Sequence, residues 1–333
     1  MTTYVGIDVH PSQSTIAILE PGRPKPALMT VRGGPDEVKK RLLKIDAPFD
    51  VCFEASCGYG VWFETLSAVA RSVTVAHPGH LRLIYGSKRK NDRVDAAKLA
   101  KLLAADAVPA VHVPGADVRE WRGMIQYRGR VVARRTAVKN SIRAILREYA
   151  IRPPRSLWSK RGIAWLDELE LPPLARVRMD EHIEDLALLK KRVGRVTARL
   201  DAIARRHPGV ALLKTIPGVG NRTAEAFVAW VDDARRFSRV SQIGDYFGLV
   251  PRQDASAKRN HLGRITKDGP AYPRGLFVEA AWVGMRRNPV IRAKYEQFKR
   301  GDKERNKKAI VATAHWLTRV MLAMLRSGEV WRG

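Results

Sequence analysis

The stretch Tyr4–Leu19, YVGIDVHPSQSTIAIL, decides the fold prediction, because it holds two short runs of apolar and β-branched residues around a polar turn. Runs of this kind, bounded by Pro and Ser, predict two strands, Tyr4–Val9 and Ser14–Leu19, that form a hairpin. A third run, Ala27–Val31, extends the meander as far as a helix that begins at Pro35.

Further strands and helices alternate along the rest of the first hundred residues. Asp50–Glu54 and Val73–Ala76 have the composition of strands, and Asp92–Ala104 carries apolar residues at helical spacing. This alternation predicts an open α/β domain in which helices flank a mixed sheet, rather than a helical bundle or a sandwich.

The charge of the chain indicates a polyanionic partner. The 333 residues include 61 Lys and Arg against 33 Asp and Glu, a formal net charge of +28, which suits nucleic acid. No apolar run is long enough for a membrane span and the start lacks a signal peptide, so we expect a cytoplasmic protein without a membrane partner. The two cysteines, Cys52 and Cys57, lack the further ligands of a zinc site, which predicts reduced thiols in or near the core.

A long basic helix is predicted within the segment Trp121–Lys160, which holds eleven Lys or Arg residues and a single acid, Glu148. A charge-rich helical face is often only solvated, but this excess would repel itself without phosphates nearby, so we favour nucleic-acid binding. The predicted contacts on this helix are Arg128, Arg134, Arg135, Lys139 and Arg143.

The next helical segment has apolar residues at alternating spacings of three and four. They are Leu186, Leu189, Val193, Val196, Leu200 and Ile203. This spacing is that of a coiled-coil seam, through which two copies of the chain could pair. An amphipathic helix packed on its own domain explains the pattern equally well, and the sequence leaves both interpretations open.

Four carboxylates form the candidate catalytic centre. Asp8 and Glu54 each end a predicted strand, and Asp92 and Asp95 lie one turn apart at the start of a helix. Carboxylates that converge need a cation, and hard oxygen ligands select Mg²⁺ or Mn²⁺, two of which could clamp a phosphodiester. Singly, a strand-end Asp can be a turn residue, and Asp92 can be a helix cap. The predicted phosphate contacts beside the aspartates are Lys88, Lys90 and Arg93.

The second half contains a turn and a loop with candidate nucleic-acid contacts. The turn within Leu213–Ala224 resembles a helix-hairpin-helix, whose backbone N–H groups hold a phosphate, although it could be a simple turn between helices. Ser256 lies in a small-residue, basic loop where a hydroxyl could meet a phosphate, but the residues alone do not make it a nucleophile. The predicted contacts here are Pro217, Gly218, Gly220, Arg222, Lys258, Arg259, Lys267 and Arg274.

These motifs, in this order, resemble those of one family over nearly the whole chain. Gly6–His10, Phe53–Ala55 and Lys90–Ala96 resemble the N-terminal motifs of insertion-sequence transposases with a RuvC-like DEDD domain. Their C-terminal transposase domain bears a serine, and they are related to the Piv-type DNA invertases. Ile216–Ala224 and the segments Leu249–Pro251 and Gly263–Gly269 resemble the C-terminal motifs.

The resemblance implies a transposase, or site-specific recombinase, that excises and inserts an insertion sequence. Asp8, Glu54, Asp92 and Asp95 would then be catalytic metal ligands, and Ser256 the nucleophile that joins DNA covalently. It further implies double-stranded DNA at the element ends and the target, a structured guide RNA, and a bacterial, nucleoid-associated homo-oligomer, a dimer or a tetramer. In it, carboxylates of one copy would meet the serine of another.

Three domains are expected from these observations. They are a RuvC-like domain with its basic helix over 1–150, a helical or coiled-coil region over 151–208, and a mainly α transposase domain over 209–333 with the hairpin-like turn and serine segment. Two other functions stay open: a RuvC-like nuclease that hydrolyses branched DNA without Ser256, and a nucleic-acid-binding protein whose carboxylates are structural. His10, Tyr59, Trp62, His77 and His80 lie near the site segments and receive no role.

Overall fold

The computed structural model describes residues 2–84, 91–256 and 259–333, and at residues 82–83, 254–256 and 259–261 it describes the backbone alone. The predicted contacts Lys88, Lys90 and Lys258 therefore lie outside the described residues. The chain divides into two compact units, Met1–Arg119 and Glu120–Gly333.

A five-stranded mixed sheet forms the centre of the first unit. Its strands are β1 (Thr3–Val9), β2 (Gln13–Leu19), β3 (Ala27–Arg32), β4 (Phe49–Glu54) and β5 (Ser72–Ala76). Their order across the sheet is β3-β2-β1-β4-β5. The first three strands pair antiparallel, whereas β1, β4 and β5 run parallel. The predicted mixed sheet is confirmed, and each predicted strand has its bounds within one residue of the observed ones.

Helices cover both faces of this sheet. They are α1 (Pro35–Leu42), α2 (Tyr59–Ser67), α3 (Pro78–Ile84) and α4 (Asp92–Ala104). On one face, Val5 and Ile7 of β1 pack with Leu42 of α1 and Trp62 of α2. The opposite face presents small residues of the strands, and Ala96, Leu99 and Ala100 of α4 pack against them.

The second unit is mainly helical, as expected. Its helices are α5 (Ala116–Glu148, which begins at the end of the first unit), α6 (Lys160–Asp167), α7 (Pro173–Arg206), α8 (Pro208–Leu213), α9 (Asn221–Val231), α10 (Gln242–Tyr246), α11 (Ala271–Arg287), α12 (Pro289–Lys299) and α13 (Asn306–Ser327). Buried side chains of Phe227, Phe247 and Phe277 pack with ring centroids 4.8–5.7 Å apart in its core.

The basic helix is real but ends earlier than Lys160. Helix α5 stops at Glu148, and Ala150 follows with a φ of 56°, in the left-handed region that ends a helix. Pro153 and Pro154 then exclude helical geometry, since neither can donate a backbone hydrogen bond.

The apolar seam of α7 has a partner within the same chain. Leu189 and Val193 pack against Val131 of α5, and Leu186 joins a cluster with Ile142 and Ile145 of that helix. Arg128, in the first half of α5, contacts Thr197 in the last third of α7, whereas Glu148 at the end of α5 pairs with Arg178 near the start of α7, so the helices run antiparallel. Leu186, Leu189 and Val193 therefore belong to an amphipathic helix that packs on its own domain, the second of the two interpretations that the sequence left open.

The segment around Ser256 forms a strand, whereas the sequence suggests a loop. Strands β6 (Pro251–Ser256) and β7 (Arg259–Ile265) pair antiparallel, with Ser256 opposite Arg259 at the end of the ladder. Few apolar residues alternate along these strands, so the usual period-two signal of a strand is weak here.

Two smaller expectations concern membranes and thiols. No helix in the part of the chain that the structure describes is long and apolar enough to span a bilayer. Both cysteines are free: Cys52 is buried on β4, where burial raises its thiol pKa to about 12, and Cys57 is exposed.

Candidate functional site

Asp8 and Glu54 lie at the carboxyl ends of neighbouring parallel strands. Ile7 of β1 and Phe53 of β4 are register partners, and Asp8 and Glu54 are the residues that follow them in the two strands. Residues paired in register point to the same face of a sheet. Since Gly6 and Cys52 face α4, the alternation along each strand places Asp8 and Glu54 on the α4 side as well.

Asp92 and Asp95 lie in the first turn of α4, and Asp92 is not the helix cap. Asn91 takes that role, because its side chain accepts a hydrogen bond from the Arg93 backbone N–H at 3.0 Å. The positive end of the helix dipole favours carboxylates at these positions. Asp92 lies four residues before Ala96, on the helix face that packs against the sheet.

The strand and the helix bring Asp8 and Asp92 together with a third side chain, His10. One ligand atom from each of the three residues lies within 4.8 Å of the other two, and all three residues are partly buried. His10 Nε2 lies 3.6 Å from Asp8 Oδ2. Across the described ranges, no other three His, Cys, Asp or Glu residues meet this spacing.

The other two predicted ligands lie outside this cluster. Glu54 is exposed at the end of β4, and the Asp95 carboxylate pairs with Lys98 of the next turn, at 3.4 Å. The structure therefore brings two of the four predicted carboxylates into contact range and leaves the other two at neighbouring positions.

The chemistry of the cluster fits a divalent cation. Such ions hold carboxylate and imidazole ligands at about 2.0–2.2 Å, so two ligand atoms of one ion lie roughly 3–4.4 Å apart. A set of atoms within 4.8 Å of one another needs only a small side-chain adjustment to reach that range. Two carboxylates this close are also less repulsive with a cation between them.

His10 is the site residue to which the sequence assigned no role. A signal was present: His10 follows Asp8 by two positions, and residues of equal parity in a strand lie on one face. The signal is weak because β1 ends at Val9, so the sequence does not show that the alternation continues.

Several predicted nucleic-acid contacts on α5 already take part in helix packing. Arg128 donates a hydrogen bond to Thr197 of α7 at 2.8 Å. Lys139 and Arg143 lie over the ring of Trp158, at 4.6 and 5.2 Å from its centroid. Burial and then the nearby guanidinium groups lower the Lys139 pKa. Arg134 is exposed and Arg135 is partly buried, and on the other unit Arg93 is exposed beside Asp92.

The hairpin-like turn connects the short helix α8 to α9. Gly218 has a φ of 95°, and a Cβ there would lie 2.5 Å from the backbone nitrogen of Gly284 on α11. Gly218 therefore permits a close approach of the turn to α11. Gly220 is the N-cap residue of α9, and a Cβ there would meet nothing within 4 Å. Pro217 precedes these glycines in the turn.

Arg222, also predicted to contact nucleic acid, forms ion pairs inside the second unit. Its guanidinium binds Asp201 of α7 and lies 3.1 Å from Glu225 of α9, and its side chain is 17% exposed. Glu225 is fully buried. Burial, which outweighs the nearby arginines, raises its pKa to about 7.

The hairpin of the second unit carries the serine, and Arg274 contacts the loop that follows it. Ser256 ends β6, and of Ser256 and Arg259 the structure describes the backbone only. Arg274 donates hydrogen bonds to the carbonyl oxygens of Phe247 and Asp268 at 2.8 and 2.9 Å. Lys267 takes a left-handed backbone conformation with a φ of 60°.

Comparison with known proteins gives two family matches in the expected order. A DEDD transposase model named for IS110 matches residues 5–151, and the model for transposases of the IS116/IS110/IS902 family matches residues 210–296. Together the matches span more than half of the chain, and the first of them contains the cluster of Asp8, His10 and Asp92.

Two relatives are similar over most of their length. The transposase for insertion sequence element IS1111A of Coxiella burnetii is 28% identical over 288 residues, which cover 85% of this chain and 79% of the relative. The transposase for IS1328 of Yersinia enterocolitica is 26% identical over 290 residues, 85% of this chain and 86% of the relative. The chain belongs to the IS116/IS110/IS902 family of transposases, and it is a DNA transposase.

Proposed function

We propose that this transposase excises and inserts an insertion sequence with a metal-bound carboxylate centre and a serine nucleophile, guided by a structured RNA. The observation that carries the proposal is the convergence of Asp8 from β1 and Asp92 from α4, with their ligand atoms within 4.8 Å. Two acids from separate elements that meet at the end of parallel strands suit a cation site better than two independent surface acids do.

In this proposal Asp8, Glu54, Asp92 and Asp95 hold Mg²⁺ or Mn²⁺. Glu54 lies on the strand next to Asp8 and on the same sheet face, and Asp95 lies one helical turn from Asp92. A bound divalent ion would stabilise the charge that develops on the phosphate during strand breakage. The four carboxylates would hold that ion, and Arg93, which is exposed and follows Asp92 in the chain, would bind the DNA backbone.

Ser256 is the proposed nucleophile. Its Oγ would attack the scissile phosphorus, a phosphoserine ester would form, the bond to the departing strand oxygen would break, and the serine proton would pass to a base or to water. The resemblance to the serine-bearing family and the position of Ser256 at the end of the β6–β7 hairpin support this role. Strand ends suit such a role because a rigid pair of strands fixes the backbone of the nucleophile.

The positive charge of the chain supports a nucleic-acid partner. The net charge of +28 exceeds what solubility requires, and α5 keeps exposed basic residues such as Arg130, Arg134 and Arg147. Contacts of this kind bind phosphates without regard to sequence. Recognition of the target would then be supplied by the guide RNA, whose base pairing specifies sequence where phosphate contacts do not.

Covalent trapping tests this function. Purified protein is incubated with element-end DNA, Mg²⁺ and a transcript of the adjoining noncoding sequence, and a denaturation-resistant protein–DNA adduct is then measured. We expect the adduct with the wild type and with two controls at exposed positions, Ser241→Ala and Asp46→Asn. We expect no adduct with Ser256→Ala or Asp8→Asn, and a reduced yield without the transcript.

Different failures have different meanings. If Ser256→Ala still cuts DNA while Asp8→Asn does not, water rather than serine is the nucleophile, and the enzyme acts as a metal-dependent nuclease. An adduct that forms equally well without the transcript would rule out RNA guidance. Wild-type activity in Asp8→Asn would contradict the metal centre itself.

A further inference from the structure

We infer that His10 is a further protein ligand of the cation held by Asp8 and Asp92, and that this nitrogen ligand makes the site prefer Mn²⁺ to Mg²⁺. The inference rests on the proposed function, because it assumes that the carboxylates bind a metal. It adds a residue outside the predicted set of four carboxylates and states how that residue changes the choice of metal.

The geometry of the His10–Asp8 pair supports shared coordination. The Nε2–Oδ2 distance of 3.6 Å is too long for a hydrogen bond. It falls, however, within the range of roughly 3–4.4 Å that two ligand atoms of one six-coordinate ion span. Asp92 also has a ligand atom within 4.8 Å of both, so a cation placed among the three would meet one atom from each.

The local sequence holds His10 on the correct side of the sheet. Gly6 and Asp8 face α4, and His10 has the same parity. Pro11 restricts the residue before it to extended backbone, so the strand-like alternation continues through His10 although the β1 ladder ends at Val9. The turn is further fixed where the Gly33 N–H donates a hydrogen bond to the Ser12 carbonyl at 2.9 Å.

An imidazole ligand changes which metal the site favours. Carboxylate, carbonyl and water oxygens suit Mg²⁺, which keeps several waters and needs few protein ligands. Imidazole nitrogen binds first-row transition ions more strongly. A ligand set of carboxylates and one imidazole is therefore expected to bind Mn²⁺ more tightly than Mg²⁺, and removal of the imidazole should weaken Mn²⁺ binding more than Mg²⁺ binding.

Electron paramagnetic resonance of Mn²⁺ bound to the full-length protein tests this without DNA or activity. Wild-type protein with bound Mn²⁺ should show coupling to a ¹⁴N nucleus, and the coupling should change to that of ¹⁵N when the protein contains ¹⁵N-histidine. His10→Gln should abolish the coupling and weaken Mn²⁺ binding about 10-fold, with a smaller effect on Mg²⁺. His112→Gln, at an exposed histidine of the same unit, is the matched control.

The outcomes separate this inference from the proposed function. If wild-type protein binds Mn²⁺ but shows no histidine coupling, or if His10→Gln binds like the wild type while Asp8→Asn does not bind, His10 is no ligand and the carboxylate centre stands. Absence of Mn²⁺ binding in the wild type would overturn the metal centre and this inference together. The isotope experiment uses unmutated protein, so a folding defect in a variant does not affect it.

Discussion

Gly6 of β1 lies directly against Ala96 of α4: a Cβ placed on Gly6 would lie 2.1 Å from the Ala96 carbonyl oxygen. This close approach brings the start of α4, and with it Asp92, to the end of the strand that carries Asp8. The absence of a side chain at Gly6 therefore helps to bring the residues of the candidate metal centre together, although glycine contributes no functional group.

The first prediction concerns this approach. Gly6→Ala forces β1 and α4 apart because the added methyl meets backbone atoms of Ala96 and Ala100. We expect the free energy of unfolding, measured by denaturant titration, to fall by about 1–3 kcal/mol. Gly194→Ala in α7, where a Cβ meets nothing within 4 Å, should be neutral or slightly stabilising. Equal stability of Gly6→Ala and the wild type would show that the packing is looser than described.

A second prediction concerns metal and stability. Mn²⁺ at 100 times its dissociation constant should add about 2.7 kcal/mol to the folded state, because it binds the folded chain and not the unfolded one. Thermal unfolding of the wild type should therefore move a few degrees upward on addition of Mn²⁺. Asp92→Asn should lose this response, while Asp46→Asn, at an exposed acid of the same unit, should keep it. A full response in Asp92→Asn would contradict its role as a ligand.

The third prediction follows from the buried carboxyl of Glu225. Its pKa in the folded state, about 7, lies above the ordinary value of 4.5. The folded state therefore holds a proton that the unfolded state releases between these values. The stability this proton provides is present below about pH 4.5 and is lost as pH rises through 7. Glutamine mimics the protonated form, so Glu225→Gln should unfold with less pH dependence than the wild type.

Unfolding of both proteins from pH 5 to pH 8 measures this difference. From pH 5 to pH 8, the free energy of unfolding of Glu225→Gln should rise by on the order of 1–3 kcal/mol relative to that of the wild type. Glu279→Gln, which changes an exposed acid of the same unit, should follow the wild-type curve. Parallel curves for the wild type and Glu225→Gln would mean that Arg222 keeps Glu225 ionised at all these pH values.

The two glycines of the hairpin-like turn give a fourth, paired prediction. Gly218→Ala combines a left-handed φ of 95° with a Cβ that would lie 2.5 Å from the Gly284 nitrogen. It should destabilise the second unit by about 2 kcal/mol or more. Gly220→Ala has open space and an ordinary φ of −93°, so chemical denaturation should show a loss below about 1 kcal/mol. A reversed order of the two effects would refute this account of the turn.

The sequence predicted the first unit well because its signals are local. Period-two and helical spacings fixed the strands and α4, which has the bounds Asp92–Ala104 in both the prediction and the structure. The convergence of Asp8 with Asp92 was also expected from the strand-end and helix-start positions. Sequence spacing did not distinguish these two from Glu54 and Asp95, because the distance between side chains depends on how α4 packs on the sheet.

The structure of the second unit was predicted less completely because the helices and side chains that pack together in it are distant in sequence. The α7 seam could bind another copy or its own chain, and only the position of α5 identifies the partner of Val193. Arg222 is of a residue type that often contacts phosphate, but the fold places the carboxylates of Asp201 and Glu225 beside its guanidinium. The β6–β7 hairpin was missed because its strands lack an apolar face.

Mn²⁺ affinity in a double-mutant cycle of Asp8 and Asp92 tests the central claim most directly. The wild type, Asp8→Asn, Asp92→Asn and the double variant are titrated with Mn²⁺ at constant pH, and free Mn²⁺ is followed by paramagnetic resonance. Our account predicts that each single variant loses most of the affinity and that the double variant loses little more, because both carboxylates hold one ion. Additive losses, or single variants that bind Mn²⁺ like the wild type, would contradict a shared metal centre.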